Sequence, residues 1–324
     1  MNSIIRIKCP DANKNKIKRI SLLFDSISEW IYSKELSYLI KLFEGDINEI
    51  QHKELKTYIS WLNNFVEVWD YRKIQAKGGE RWNIKDEKFV IEHRKEIMDA
   101  VQSLGLVTCS EPRYKPDYIL PLGGARLTNI SRPQEAKELI DSFGWKDIKI
   151  VALSGMRPIN DIELPYIKQY APNAENEYDA INKGLEKVFG LGESFEEKLK
   201  NNLNINLKSA VRKYNRTYQG CNIFSLSAPS SISEKRADSK DTFKYFLEKF
   251  EVKNGSKLLF VTSCIYSNFQ LLKFMDFAID IELEIDCVGV VASRVGTSLL
   301  NPSNYLQEIK ATVNAIYSLS ETYL

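Results

Sequence analysis

The stretch Asp117–Ile140, "DYILPLGGARLTNISRPQEAKELI", sets the reading of the whole chain. Its apolar run "YILPL" (118–122) stops at two adjacent glycines, passes two arginines six residues apart, and then resumes at helical spacing. A short, nearly continuous apolar run that ends on small residues and leads into a helix reads as a βα unit of a parallel sheet, whose strands are buried on both faces. Gly123 and Gly124 remove side chains where the backbone turns tightly and lies open to close approach. Ser131 reads as the N-cap of the next helix, with Arg132-Pro133 in its first turn and Gln134 as capping-box partner. A capped helix start bracketed by Arg126 and Arg132 suits an anion.

The pattern repeats at "IKIVALS" (148–154), "CNIFSLS" (221–227), "KLLFVTS" (257–263) and "EIDCVGVVAS" (284–293), with amphipathic segments between them. The fold class implied is α/β: a Rossmann-like, doubly wound, mostly parallel sheet of about five strands. Between the second and third runs, "NAENEYDAINKGLEKVFGL" and "SFEEKLKNNL" read as two helices, a helical insertion over about 160–205. "DIELEID" (280–286) alternates strictly and reads as a strand with one wet face.

The first third has another texture. From Ile17 to Ser110 apolar residues recur every three or four positions, the last helix stopping at Gly105. The turn "AKGGERW" (76–82) interrupts this series, and the Pro-punctuated "CSEPRYKPD" (109–117) ends it. Two regions follow: an all-α N-terminal region over 1–110 and the Rossmann-like domain with its insertion over 111–324. Trp30, Trp61 and Trp69 fall on the apolar helix faces and read as core.

Composition narrows the function. Lys plus Arg is 45 and Asp plus Glu 43 in 324 residues, so 45 − 43 gives +2. That balance supplies no general attraction to nucleic acid or to an anionic membrane, so no nucleic-acid partner is expected and any anion site is local. The five cysteines are scattered without a CxxC pair, which argues against a zinc knuckle or a disulfide framework. The only histidines, His52 and His93, lie in the helical first third, away from any nucleophile motif. The N-terminal apolar patch is too short for a signal-peptide core and no run reaches membrane-span length, so the expectations are a cytoplasmic protein and no membrane anchor.

The loops after the strands carry the candidate ligand residues. After the second run comes "SGMRP", with Ser154, Gly155 and Arg157; after the third comes "SAPSSISEKRADSKDT", with Arg236, a cap at Asp238 or Ser239, and Thr242. The fourth run ends at Thr262 and Ser263, and Tyr266 opens the next helix. In an open α/β sheet such loops gather at one edge, where ligands bind. No G-x-G-x-x-G and no G-x-x-x-x-G-K-[ST] occurs, which argues against dinucleotide dehydrogenases and P-loop NTPases.

In their order, "LPLGGA" with Arg132, "VALSGM", "RADSKDTFKYF" and "FVTSCIYSNFQLLKF" make the segment 117–291 resemble the ElyC/SanA/YdcF family. The resemblance implies a bacterial Rossmann-type fold associated with cell-envelope biogenesis, with Gly123, Gly124, Arg132, Ser154, Gly155, Ser239, Thr242, Thr262 and Ser263 lining the pocket. Where that family carries a histidine after its V-T-S strand and an arginine three residues on, this chain has Tyr266 and Phe269.

The leading expectation is a protein that binds a nucleotide-type or other anionic small molecule, with group transfer on envelope precursors as its enzymatic form. The cofactor is left open between a nucleotide and an S-adenosylmethionine-like ligand. The alternative is a non-enzymatic interaction protein that meets a protein partner through its N-terminal helices over a remnant pocket. No catalytic residue is assigned. Glu175 and Asp179 share a helix face while Glu177 points elsewhere, and an acidic first turn is also what the helix dipole favours. Ser154 has neither the nucleophile-elbow motif nor a histidine partner.

Overall fold

The computed structural model describes residues 4–48, 50, 52–75, 83–108, 110–295 and 301–324. The turn expected at 76–82 and the first residue of the 109–117 connector lie outside them.

All five apolar runs form strands: β1 (Tyr118–Pro121), β2 (Lys149–Ser154), β5 (Asn222–Ser227), β6 (Lys257–Ser263) and β7 (Glu284–Val290). They pair in parallel in the order β5-β2-β1-β6-β7. The chain moves outward from β1 in one direction, then returns to its other side, so the strand order reverses between β1 and β6.

Two further strands correct the expected count. β3 (Phe195–Lys200) and β4 (Ser209–Tyr214) extend the sheet antiparallel beyond β5, making seven. The segment "SFEEKLKNNL", expected as a helix, is largely β3. Its glutamates and lysines have good intrinsic helix propensity, but pairing with β4 overrides that preference. The same exposed charges protect an edge strand from further pairing. The other expected helix of this insertion is present as α9 (Glu177–Phe189).

The strands alternate between two cores. Ile119, Ile150, Ala152, Ile223, Leu259, Val261 and Val288 face the layer built by α7 (Thr128–Phe143) and α9 (Glu177–Phe189). Tyr118, Leu120, Val151, Leu153, Leu258 and Phe260 face the opposite layer, in a cluster with the N-terminal helices. That layer comprises α1 (Lys16–Ile31), α2 (Lys34–Leu42), α3 (Leu55–Phe65), α4 (Tyr71–Ile74), α5 (Lys88–Glu92) and α6 (Arg94–Ser103). It also holds α10 (Ser239–Phe250), α11 (Ser267–Lys273), α12 (Met275–Asp280) and α14 (Pro302–Tyr323). Two short helices, α8 (Leu164–Ile167) and α13 (Ala292–Val295), complete the described α-helices. Trp30 and Trp69 are fully buried in this layer, while Trp61 is half-buried and stacks on Phe65.

The strictly alternating "DIELEID" is not one wet-faced strand. Asp280 ends α12, Glu282 takes a left-handed φ of 53°, and β7 starts at Glu284. Asp286 is buried, where Arg6 and Arg113 meet its carboxylate. No described helix is long and apolar enough to cross a membrane.

α7 and α9 touch backbone to backbone. A Cβ placed on Gly184 of α9 lies 2.0 Å from the Asn129 carbonyl oxygen of α7. Pro133, four residues on, has no N–H to donate to that carbonyl, so the carbonyl is left to face α9. Gly184→Ala is expected to destabilise the protein toward the upper end of the roughly 1–3 kcal/mol typical of overpacking. A urea midpoint equal to wild type would show that the two helices separate at no cost.

Candidate functional site

The site is built where β1 ends. The Gly123 N–H donates to the Leu153 carbonyl at 2.6 Å, tying the loop to β2. Asn129, fully buried, grips Gly124 from both sides: its Oδ1 accepts from the Gly124 N–H at 3.0 Å and its Nδ2 donates to the Gly124 carbonyl at 2.7 Å. The glycines are also required from within. A Cβ on Gly123 meets Glu177 Oε1 at 2.4 Å, and one on Gly124 meets Thr128 Oγ1 at 2.8 Å and Arg132 Nη1 at 3.1 Å. The absent side chains thus make room for Glu177 and Arg132.

α7 starts four residues earlier than expected, at Thr128 with Leu127 as its N-cap. Ser131 is therefore not its N-cap but a buried residue inside the helix, and Pro133 lies within it. Gln134 donates to Glu138 rather than closing a capping box. The shift turns Arg132 inward. Its Nη1 donates to the carbonyls of Leu122 (2.7 Å) and Gly123 (2.6 Å), and its Nη2 to Ser263 Oγ (3.1 Å). Only 4% of Arg132 is exposed, and among the described residues it forms no ion pair. Burial lowers its pKa to about 10, against the opposing influence of Tyr266 and Glu177, so it stays cationic at neutral pH.

Beside Arg132 opens a cavity of about 710 Å3 at the carboxyl ends of β1, β2, β5 and β6. Of the thirteen candidate residues, eleven line it: Gly123, Gly124, Arg126, Arg132, Ser154, Gly155, Arg157, Arg236, Ser239, Thr242 and Tyr266. Thr262 and Ser263 do not; both are buried in β6, where Ser263 holds Arg132 from below.

The individual roles differ from the expectations. Arg157 does not present a bare cation: Glu163 accepts from both Nη atoms at 2.8 and 2.9 Å, and Glu177 from Nε at 3.2 Å. Burial works against this charge, but the two carboxylates hold its pKa above the ordinary arginine value. Ser154 Oγ donates to the Leu226 carbonyl, turned into the sheet rather than presented as a nucleophile. Arg126 has a left-handed φ of 56° and places its guanidinium over the Tyr166 ring. Arg236 is exposed at the mouth next to Lys235.

Glu175 is not on the helix face where it was expected. α9 begins at Glu177 with Asn176 as its N-cap, so Glu175 precedes the helix and shares no helical face with Asp179. Glu177, on a different face from Asp179, is the one of the three that lines the cavity. Glu163, Lys235, Lys273 and Gln270 also line it. The only sequence signal for them was proximity to the strand-end loops.

α10 opens at the cavity with a complete capping box between Asp238 and Asp241. Burial raises the Asp238 pKa, but hydrogen bonds from the Asp241 and Lys240 N–H groups, with Lys273 nearby, bring it below the ordinary value. A depressed carboxylate stabilises the fold above the unfolded pKa of about 3.9, and that contribution is lost as pH falls through the folded value. Asp238→Ala is expected to cost about 1 kcal/mol. Thermal unfolding at neutral pH checks this, and an unchanged midpoint would count against the cap.

Residues 14–105 match the family described as Rv3785 N-terminal domain, 92 of the 324 residues. That stretch carries α1–α6 and precedes every strand. No curated protein and no solved structure matches the chain. The resemblance of 117–291 to the ElyC/SanA/YdcF family is therefore corrected: the family found is a different one, and it rests on the helical region rather than on the strand-end motifs.

Proposed function

We propose that the chain is a Rossmann-like binding protein for a nucleotide-type or other anionic small molecule, held at the crevice beyond β1 and β6. The observation that carries this reading is Arg132, a buried cation with no carboxylate partner among the described residues, at the floor of a cavity. An isolated buried charge is costly, and an anionic ligand would offset that cost.

Three further features support it. Six cations line the cavity (Arg126, Arg132, Arg157, Lys235, Arg236 and Lys273) against three carboxylates (Glu163, Glu177 and Asp238), an excess of 6 − 3 = +3. Its volume falls within the roughly 300–1,000 Å3 common for small-molecule sites. It sits at the reversal of strand order, where open α/β sheets bind ligands. Binding is better supported than catalysis, because Ser154 is turned away and no histidine lines the cavity among the described residues. The envelope association falls with the resemblance that suggested it.

A thermal-shift screen of the purified chain against nucleotides, nucleotide sugars and S-adenosylmethionine tests the reading. A ligand at a hundred times its dissociation constant adds about 2.7 kcal/mol of stability. A shift from one of these classes is expected, and silence across all of them would contradict the proposal.

A further inference from the structure

A second cavity, about 540 Å3, lies on the far side of Phe269 and Lys273, and these two residues line both spaces. Its walls come from α4, α10, α11, α12 and α14, so it is formed where the helical N-terminal region meets the C-terminal helix. It too is basic. Arg72, Lys73, Lys240, Lys273 and Lys310 line it against Asp70 and Asp276, an excess of 5 − 2 = +3.

One ion pair ties the shared lysine to the first cavity, and another lies within the lining of the second. Lys273 Nζ lies 3.3 Å from Asp238 Oδ2, and Lys240 Nζ lies 3.1 Å from Asp276 Oδ2. Both pairs are partly solvated and held by single contacts between flexible side chains, so they part at small cost. Beyond them Lys310 is fixed by Asp70 and Glu67 at 2.7 and 3.1 Å, whereas Lys73 is exposed and makes no ion pair among the described residues. Two net-positive cavities that share a wall of one phenyl ring and one lysine match a ligand with an anionic group at each end.

The geometry points to one extended site: the ligand is an elongated molecule with two separated anionic groups, one held beside Arg132 and the other in the α4–α14 cleft by Lys73 and Lys240. This rests on the reading of the first cavity given above. It assigns the N-terminal region a role, since α4 supplies one wall of the second anion subsite.

The test uses the full chain and two probes, pyrophosphate and a longer linear polyphosphate, in calorimetric titration. Engaging both cavities through one molecule raises affinity by effective concentration, so polyphosphate is expected to bind wild type at least about tenfold more tightly than pyrophosphate. Lys73→Ala/Lys240→Ala is expected to remove that advantage and leave pyrophosphate affinity within about twofold. Lys88→Ala/Lys95→Ala, an equal charge change at residues that line neither cavity, is expected to leave both affinities unchanged. Equal affinity for the two probes in wild type would overturn the extended site, as would a Lys73/Lys240 variant that keeps the advantage or a control that loses it. Pyrophosphate binding unaffected by both Arg132→Ala and Arg132→Lys would instead overturn the reading of the first cavity.

Discussion

Arg157→Ala is expected to destabilise the protein by about 3–5 kcal/mol, the range for removing one partner of a buried ion pair. Glu163 has no exposed surface, and Arg157 supplies two of its hydrogen bonds. Without the guanidinium, Glu163 is a buried uncompensated carboxylate and Glu177 loses its hydrogen bond to Nε. Arg157→Ala/Glu163→Gln is expected to recover part of the loss, because the uncompensated charge is then gone. Urea unfolding of the single and double variants gives the coupling directly. A loss below about 1 kcal/mol for Arg157→Ala, the ordinary worth of a solvated surface pair, would mean that water reaches this cluster.

The second large effect concerns binding. Arg132→Ala is expected to weaken a phosphate-bearing ligand by about 2–5 kcal/mol, roughly 30-fold to several thousandfold. The same change leaves the Leu122 and Gly123 carbonyls without their arginine donors, so it also lowers stability. Arg132→Lys separates the two consequences. Lysine keeps the charge but has one compact ammonium in place of a planar fork, so it is expected to recover only part of the affinity. If both variants bind as wild type does, Arg132 is a scaffold residue and the ligand sits elsewhere.

The sheet's parallel strands were legible because burial on both faces writes itself as continuous apolar runs, such as "KLLFVTS" and "IKIVALS". β3 was not, since an edge strand needs exposed charge and "FEEKLK" then carries the composition of a surface helix. The start of α7 was misread for a related reason: Ser131-Arg132-Pro133 is a good local cap signal, but Leu127 and Thr128 begin the helix without one. The strand-end rule still brought eleven candidates into one cavity, because parallel strands deliver their loops to one edge. What it could not supply was the pairing. That Glu163 and Glu177 occupy Arg157, while Arg132 is left facing backbone and a serine, depends on the packing of α8 and α9 against α7 rather than on any local motif.

A crystal structure of the full chain soaked with pyrophosphate tests directly whether the anion site lies at Arg132. The anion is expected beside the Arg132 guanidinium, between the Gly123–Gly124 turn and the start of α10 at Ser239. Pyrophosphate bound elsewhere, with this cavity vacant, would contradict that placement.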